Sequence, residues 1–397
     1  MQNLLASVIL AGALLVCLPT THAGPLKVFI LVGQSNMQGH AHVRTLEHLD
    51  MDPATAPTLH EILDPEGRPR IWNDVPISYL SSDGEKTGSL TVGFGANDEK
   101  IGPELSFGIH MRKRLGEPIL IIKTAWGGKS LHTDFRPPSA GPYEFTEGQL
   151  ENLRRQKKDI AAIRTAKLAA TGHYYRLMLQ HVRTVLADIG RVYPGYQSGQ
   201  GHELAGFVWF QGWNDMVDRG VYPERERKGG YDNYSRLLTQ FIRDVRRDLN
   251  APDLPFVIGV MGAGGPVQDY PADQRRYAGI HQNFRNAMAA PARRPEFAGR
   301  VTAVLTEKYW DPELTRLRER EARLRGELKK AQKEKKLGRE ASQKLFAKLQ
   351  AAEFNAKELQ TLDKGVSNAE FHYLGSAKIL GGIGKGFAEA MVELLKD

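Results

Sequence analysis

Residues 26–37 read LKVFILVGQSNM. The run 26–32 is apolar apart from Lys27, and Gly33 stops it. Apolarity that does not alternate predicts a strand buried on both faces, as in a parallel sheet. Four more such runs follow, at 118–124 (PILIIKT), 204–210 (LAGFVWF), 254–261 (LPFVIGVM) and 300–306 (RVTAVLT). Helical periodicity fills the intervals at 105–115, 150–186, 231–249, 271–289 and 373–395. Alternation of strands and helices predicts an α/β fold, a three-layer α/β/α sandwich around a mainly parallel five-stranded sheet. Ligands of such sheets bind beyond the carboxyl ends of the strands. The first four runs are followed there by glycine: Gly33, Gly127-Gly128, Gly212 and Gly262.

Two regions exceed a minimal sandwich. Residues 41–103 are rich in Gly, Pro and Asp and weakly periodic, and read as an elaborated loop over the active face. Residues 312–362 are rich in Glu, Lys, Leu and Ala and read as a charged helical hairpin insertion that turns near Leu337-Gly338. This hairpin could act as a spacer, a lid or a self-association arm.

The 397 residues are 41% hydrophobic and 25% charged, the make-up of a globular protein with a large core. The formal charge of +8 is read as a solvated surface, with much of the surplus on the hairpin, and not as a nucleic-acid interface. An apolar run over residues 4–18 ends in Thr-Thr-His-Ala before Gly24. It reads as a signal peptide over residues 1–23, with one folded domain over residues 24–397. This predicts export to the periplasm or the exterior, without stable membrane insertion after cleavage. The only cysteine, Cys17, lies in that leader, so the mature chain has no thiol or disulfide chemistry. The histidines show no metal-type cluster beyond the loop pair His40 and His42, so neither a metal nor another cofactor is expected.

Ser35 follows the first strand on a tight turn, where its hydroxyl is presented at the ligand-binding edge; a helix cap is the competing role. The following helix start offers backbone N–H groups to an oxyanion. Gly128 can present an N–H to the same point. Asn214, in QGWND, can donate from its carboxamide. His372 precedes the last helix and could serve a serine as base.

Serine after strand one, glycine after strand two, Gly-x-Asn-Asp after strand three and a late histidine resemble the four blocks of the SGNH hydrolase superfamily. Gly-Gln-Ser-Asn-Met, Gly102-Pro103-Glu104, Phe107-Gly108 and Lys123 with Gly127-Gly128 resemble its sialate O-acetylesterase and acetylxylan esterase branch, of carbohydrate esterase family six type. The resemblance implies a flavodoxin-like fold and a serine esterase acting on acetylated carbohydrate. It implies Ser35 as nucleophile and His372 as base. It also implies an oxyanion hole from the Ser35 and Gly128 N–H groups and the Asn214 side chain, with Gln211 as a further donor. The branch usually reads Gln-Gly-Glu where this chain has Trp213.

The superfamily places aspartate three residues before the histidine, where this chain has Ala369. The acid then falls to Glu307 or Asp311 after the fifth strand, or less readily to Asp215, or a backbone carbonyl orients His372. Arg136 could bind carboxylate or sugar hydroxyls. Trp126, Trp213 and Tyr309 could stack on sugar rings, with core packing as the competing role. The rival readings are a general carboxylesterase or lipase, and a non-catalytic carbohydrate-binding protein on the same fold.

Overall fold

The computed structural model describes residues 24–396. The expected leader lies outside the described residues. Nine strands form: β1 (Leu26–Gly33), β2 (Ala41–His42), β3 (Trp72–Ser81), β4 (Gly84–Leu90), β5 (Lys100–Ile101), β6 (Ile119–Ala125), β7 (His202–Phe210), β8 (Phe256–Val260) and β9 (Val301–Leu305). Seven of them make one sheet in the order β4-β3-β6-β1-β7-β8-β9, while β2 and β5 form a small separate pair. All pairings in the large sheet are parallel except β3 with β4.

The five expected runs are all strands, and β1 lies at the centre. The expected count of five is too low, because residues 41–103 are not simply a loop. They contain the β3–β4 hairpin at one edge of the sheet. Its second strand, GEKTGSL, is largely exposed and has no apolar run. Its first strand carries Pro76 beside a break in register, which a strand tolerates at an edge or a bulge.

Successive residues of β1 face opposite layers. Val28, Ile30 and Val32 join a cluster with Met178, Val182, Phe241 and Phe284 from the helices on one face. Phe29 and Leu31 join Leu105, Phe107, Ile383 and Phe387 on the other. On that second face the helices Pro103–Leu115 and Ala377–Leu394 lie against each other. A Cβ on Gly384 would sit 2.1 Å from the Pro103 carbonyl oxygen, so only glycine allows this approach.

The expected single helix over 150–186 is three helices, Glu147–Arg155, Ile160–Ala170 and His173–Ala187. Asp159 caps the second by accepting from the Ala162 N–H, and Gly172, at φ 67°, turns the chain into the third. Residues 312–362 form the helices Pro312–Lys335 and Arg339–Glu353, which pack together, and the start of a third, Ala356–Gly365. The chain turns between the first two at the left-handed Lys336, next to Leu337-Gly338. Leu317, Leu324, Phe354 and Leu362 give these helices a small core of their own. No helix among the described residues is long and apolar enough to cross a membrane.

Lys123, in β6, is fully buried with Glu104 at 2.7 Å. Its other two N–H bonds go to the carbonyls of Gln38 (2.9 Å) and Phe94 (2.7 Å). Burial pulls the lysine pKa down, and Glu104 opposes that shift. Glu104→Gln leaves an ammonium without its counter-charge. The expected loss is about 3–5 kcal/mol of unfolding free energy, read as a lower urea midpoint at unchanged slope.

Candidate functional site

The parallel pairing brings the ends of β1, β6, β7 and β8 to one edge of the sheet. Ser35 opens the short helix Ser35–Gln38 directly after β1 and is nearly buried. An ideal Cβ on Gly127 would lie 4.0 Å from the Ser35 Cβ, so this glycine backs the serine side chain. Gly128 follows at φ 74° with open space around its would-be Cβ. Asn214 donates its backbone N–H to Gln34 Oε1 at 3.5 Å. Its side chain forms no hydrogen bond among the described residues.

His372 reaches this edge through its neighbour. Tyr373 is buried, and its hydroxyl accepts the Gly262 N–H at 2.8 Å, just beyond β8. Thr306, just beyond β9, donates to the Val260 carbonyl at 2.7 Å, so the Tyr373 hydroxyl donates to Thr306 Oγ1, also at 2.7 Å. Tyr373, Leu374 and Gly375 are all left-handed, at φ 53°, 59° and 57°. This arrangement costs roughly 1–3 kcal/mol per non-glycine residue and persists where surrounding contacts enforce it. The turn packs against the helix that begins at Ser35. No hydrogen bond joins Ser35 Oγ to His372 in this structure; such contacts are often loose before substrate arrives.

His372 Nδ1 meets Asn368 Oδ1 at 3.0 Å. The same oxygen accepts the Ala369 N–H at 2.7 Å. It is therefore the carbonyl oxygen, Nδ1 is the donor, and the lone pair of the ring is on Nε2. The ring of His40 lies flat on that of His372, with centroids 4.0 Å apart and planes 3° apart. Burial, with Lys100 nearby, lowers the His372 pKa to about 4. Burial, then His372, Lys100 and Lys123, lowers that of His40 to about 3.

The three acidic candidates stand elsewhere. Glu307 pairs with Arg285. Asp311 caps the helix Pro312–Lys335 and pairs with Lys378 at 2.9 Å. Asp215 is fully buried and accepts from the Leu131 and His132 N–H groups (2.8 and 3.1 Å), Gln211 Nε2 (2.7 Å) and the Tyr222 hydroxyl (3.1 Å). It clamps the loop after β6. None is hydrogen-bonded to His372. Gln211 is committed to the same clamp, since its Nε2 also donates to the Lys129 carbonyl at 3.0 Å.

A family model of carbohydrate esterases, the sialic acid-specific acetylesterase family, matches residues 25–294. The chain belongs to this family. The match includes Ser35, Gly127, Gly128 and Asn214, and ends before His372. Two solved structures are similar to the esterase. A protein from Arabidopsis thaliana is 17% identical, with a TM-score of 0.37, over 71% of this chain and 86% of that one. A carbohydrate acetylesterase from Xanthomonas citri is 13% identical, with a TM-score of 0.39, over 72% of this chain and 51% of that one. Among curated proteins, none matches.

The expected sugar contacts of the esterase divide. Arg136 spends its guanidinium on the carbonyls of Gly141 (2.8 Å), Ala140 (3.0 Å) and His132 (3.2 Å), so it ties a loop together. Trp126 is core, packed on Tyr174 and Phe135. Tyr309 packs over Gly382 and Gly386 in the second layer. Trp213 alone stands at the site, half-buried, 5.5 Å from the Phe371 ring and 6.5 Å from that of His281. It borders a cavity of about 480 Å³ that Phe371, Tyr277, His281, Arg225 and Glu370 also line. Phe371 was not foreseen, although an aromatic residue beside His372 was visible in the sequence.

Tyr373→Phe removes the acceptor of the Gly262 N–H and the donor to Thr306. The expected cost is roughly 1–3 kcal/mol, with faster exchange of the Gly262 amide proton, measured by urea unfolding and amide exchange.

Proposed function

We propose that this esterase is an exported serine hydrolase that removes O-acetyl groups from carbohydrate through an acyl-enzyme. The observation that carries the mechanism is the tautomer at His372. Asn368 holds Nδ1–H, which leaves Nε2 free to take a proton. Export rests on the apolar run at residues 4–18.

In this mechanism Ser35 Oγ attacks the acetyl carbonyl carbon while His372 Nε2 takes the hydroxyl proton. The oxyanion meets the N–H of Ser35, an N–H of the 127–128 loop and the Asn214 side-chain amide, which has no other partner among the described residues. Collapse expels the sugar oxygen, which takes the proton from His372. Water then repeats the sequence on the acetyl-serine and releases acetate. Asn368 fills the orienting position that an acid holds in a Ser-His-Asp triad. It positions the ring but supplies no charge.

Hydrolysis of p-nitrophenyl acetate tests the roles. Ser35→Ala and His372→Ala should each lower kcat by about a thousandfold or more; rates equal to the wild type would overturn the assignment. The pH profile tests the base. Protonated His372 cannot accept the serine proton, so activity should fall as pH drops through about 4 and hold above it. Asn368→Asp places a carboxylate on Nδ1–H, favours the imidazolium and should move this limb to higher pH.

A further inference from the structure

The cavity beside Trp213 does not stand alone. A second cavity, of about 540 Å³, lies between the 271–274 loop and the helix Pro312–Lys335, where Arg318, Glu319 and Ala322 face it. Gln274 and Glu370 line both cavities. Their side chains meet at 3.5 Å, so the two spaces share one polar wall. Each is within the size range of a small-molecule site.

The two ends differ in chemistry. Near His372, whose ring lies 4.4 Å from that of Phe371, the lining combines the rings of Trp213, Phe371 and Tyr277 with Arg219 and Arg225. Such rings suit the C–H face of a sugar. At the helix the lining alternates in sign, with Asp273, Arg318, Glu319 and Arg323. Donors and acceptors so mixed suit hydroxyl groups. They do not suit an acyl chain, which needs an apolar wall, or a polyanion, which needs one sign of charge.

We propose that the two cavities form one binding groove for a neutral glycan chain, whose acetylated unit sits at Ser35 and whose further units run past Gln274 and Glu370 to the helix Pro312–Lys335. This rests on the esterase reading and adds a chain-length preference to it. The charged helix is then a substrate wall, separate from the groups that carry the chemistry.

Ala322 is exposed, so Ala322→Trp can fill the far cavity without disturbing the core. Two measurements apply, with Ala322→Ser as control and melting temperature as the check on folding. Calorimetry with unacetylated xylohexaose should give at least tenfold weaker binding for Ala322→Trp than for wild type. Acetyl release from acetylated xylohexaose should show KM raised about tenfold, with p-nitrophenyl acetate and an acetylated methyl xyloside within twofold of wild type. Equal binding of xylohexaose by both proteins, equal loss on the short and long substrates, or binding only of an oligogalacturonate would overturn the groove. A wild type that binds xylohexaose in this Ala322-sensitive way and cleaves none of the esters would uphold the groove and overturn the esterase reading.

Discussion

The buried pair of Lys123 and Glu104 fixes the part of the molecule on which the site depends. An ammonium taken out of water costs several kcal/mol, and the cost is met only when every N–H finds a partner. Lys123 has three N–H bonds and three acceptors: Glu104, the Gln38 carbonyl and the Phe94 carbonyl. The Tyr79 ring lies 4.4 Å from the same nitrogen. The second Glu104 oxygen accepts the Gly102 N–H at 2.8 Å. One charge pair thus joins β6, the start of the helix Pro103–Leu115, the chain before β5 and the end of the four-residue helix that carries Ser35. Gly39 completes the junction: at φ 93°, a Cβ there would lie 2.2 Å from Gly102 Cα. A serine on so short a helix has little local stability, so its place is set by this tertiary tie.

Asp215 does the corresponding work on the other side. Its four donors come from the loop after β6, from Gln211 at the end of β7 and from Tyr222. Burial raises its pKa and these bonds oppose the rise. Several polar residues near the site are therefore structural: Asp215, Gln211 and Arg136 have spent their bonding capacity on the loops. What is left uncommitted is informative. The Asn214 side chain and Nε2 of His372, the groups the proposed mechanism uses, form no hydrogen bond among the described residues. Preorganisation of this kind is what lets fixed donors stabilise charge that develops in a reaction.

Sequence periodicity revealed the parallel strands because burial on both faces writes an uninterrupted apolar run, as in LKVFILV and PILIIKT. It missed β3 and β4 because an edge hairpin, exposed along one strand and broken by Pro76 in the other, writes no such run. The helix boundary at Gly172 was hidden for a different reason. Periodicity continues through it, and the break is imposed by its bond to Thr133 at 2.8 Å, a tertiary contact. At the site, chain order put Ser35 after β1, Asn214 after β7 and His372 before the last helix, where the structure has them. Residue type alone does not say which partners will consume the donors of Arg136 or bury the indole of Trp126. On an extended segment, Asn368, four residues before His372, would not share the direction of a residue three before it. The chain instead turns after Ala369, whose carbonyl accepts the His372 N–H at 3.0 Å, and an offset of four then brings the amide to the ring.

The exchange of a carboxylate for a carboxamide beside His372 has a further physical consequence. An aspartate both aims the imidazole and stabilises the positive charge that the ring gains in the transition state. An amide oxygen can only aim. Burial, with Lys100 nearby and no counter-charge on the ring, makes it a weak base, held neutral down to a pKa of about 4. The catalytic use of a base trades availability against strength. Here availability is complete across neutral and mildly acidic pH, and strength is low. In the proposed mechanism the burden of the barrier then shifts to the oxyanion donors, whose contribution does not depend on the basicity of the ring. Loops held by two buried carboxylates are suited to that burden, because a donor that need not reorganise loses none of its stabilising energy in moving.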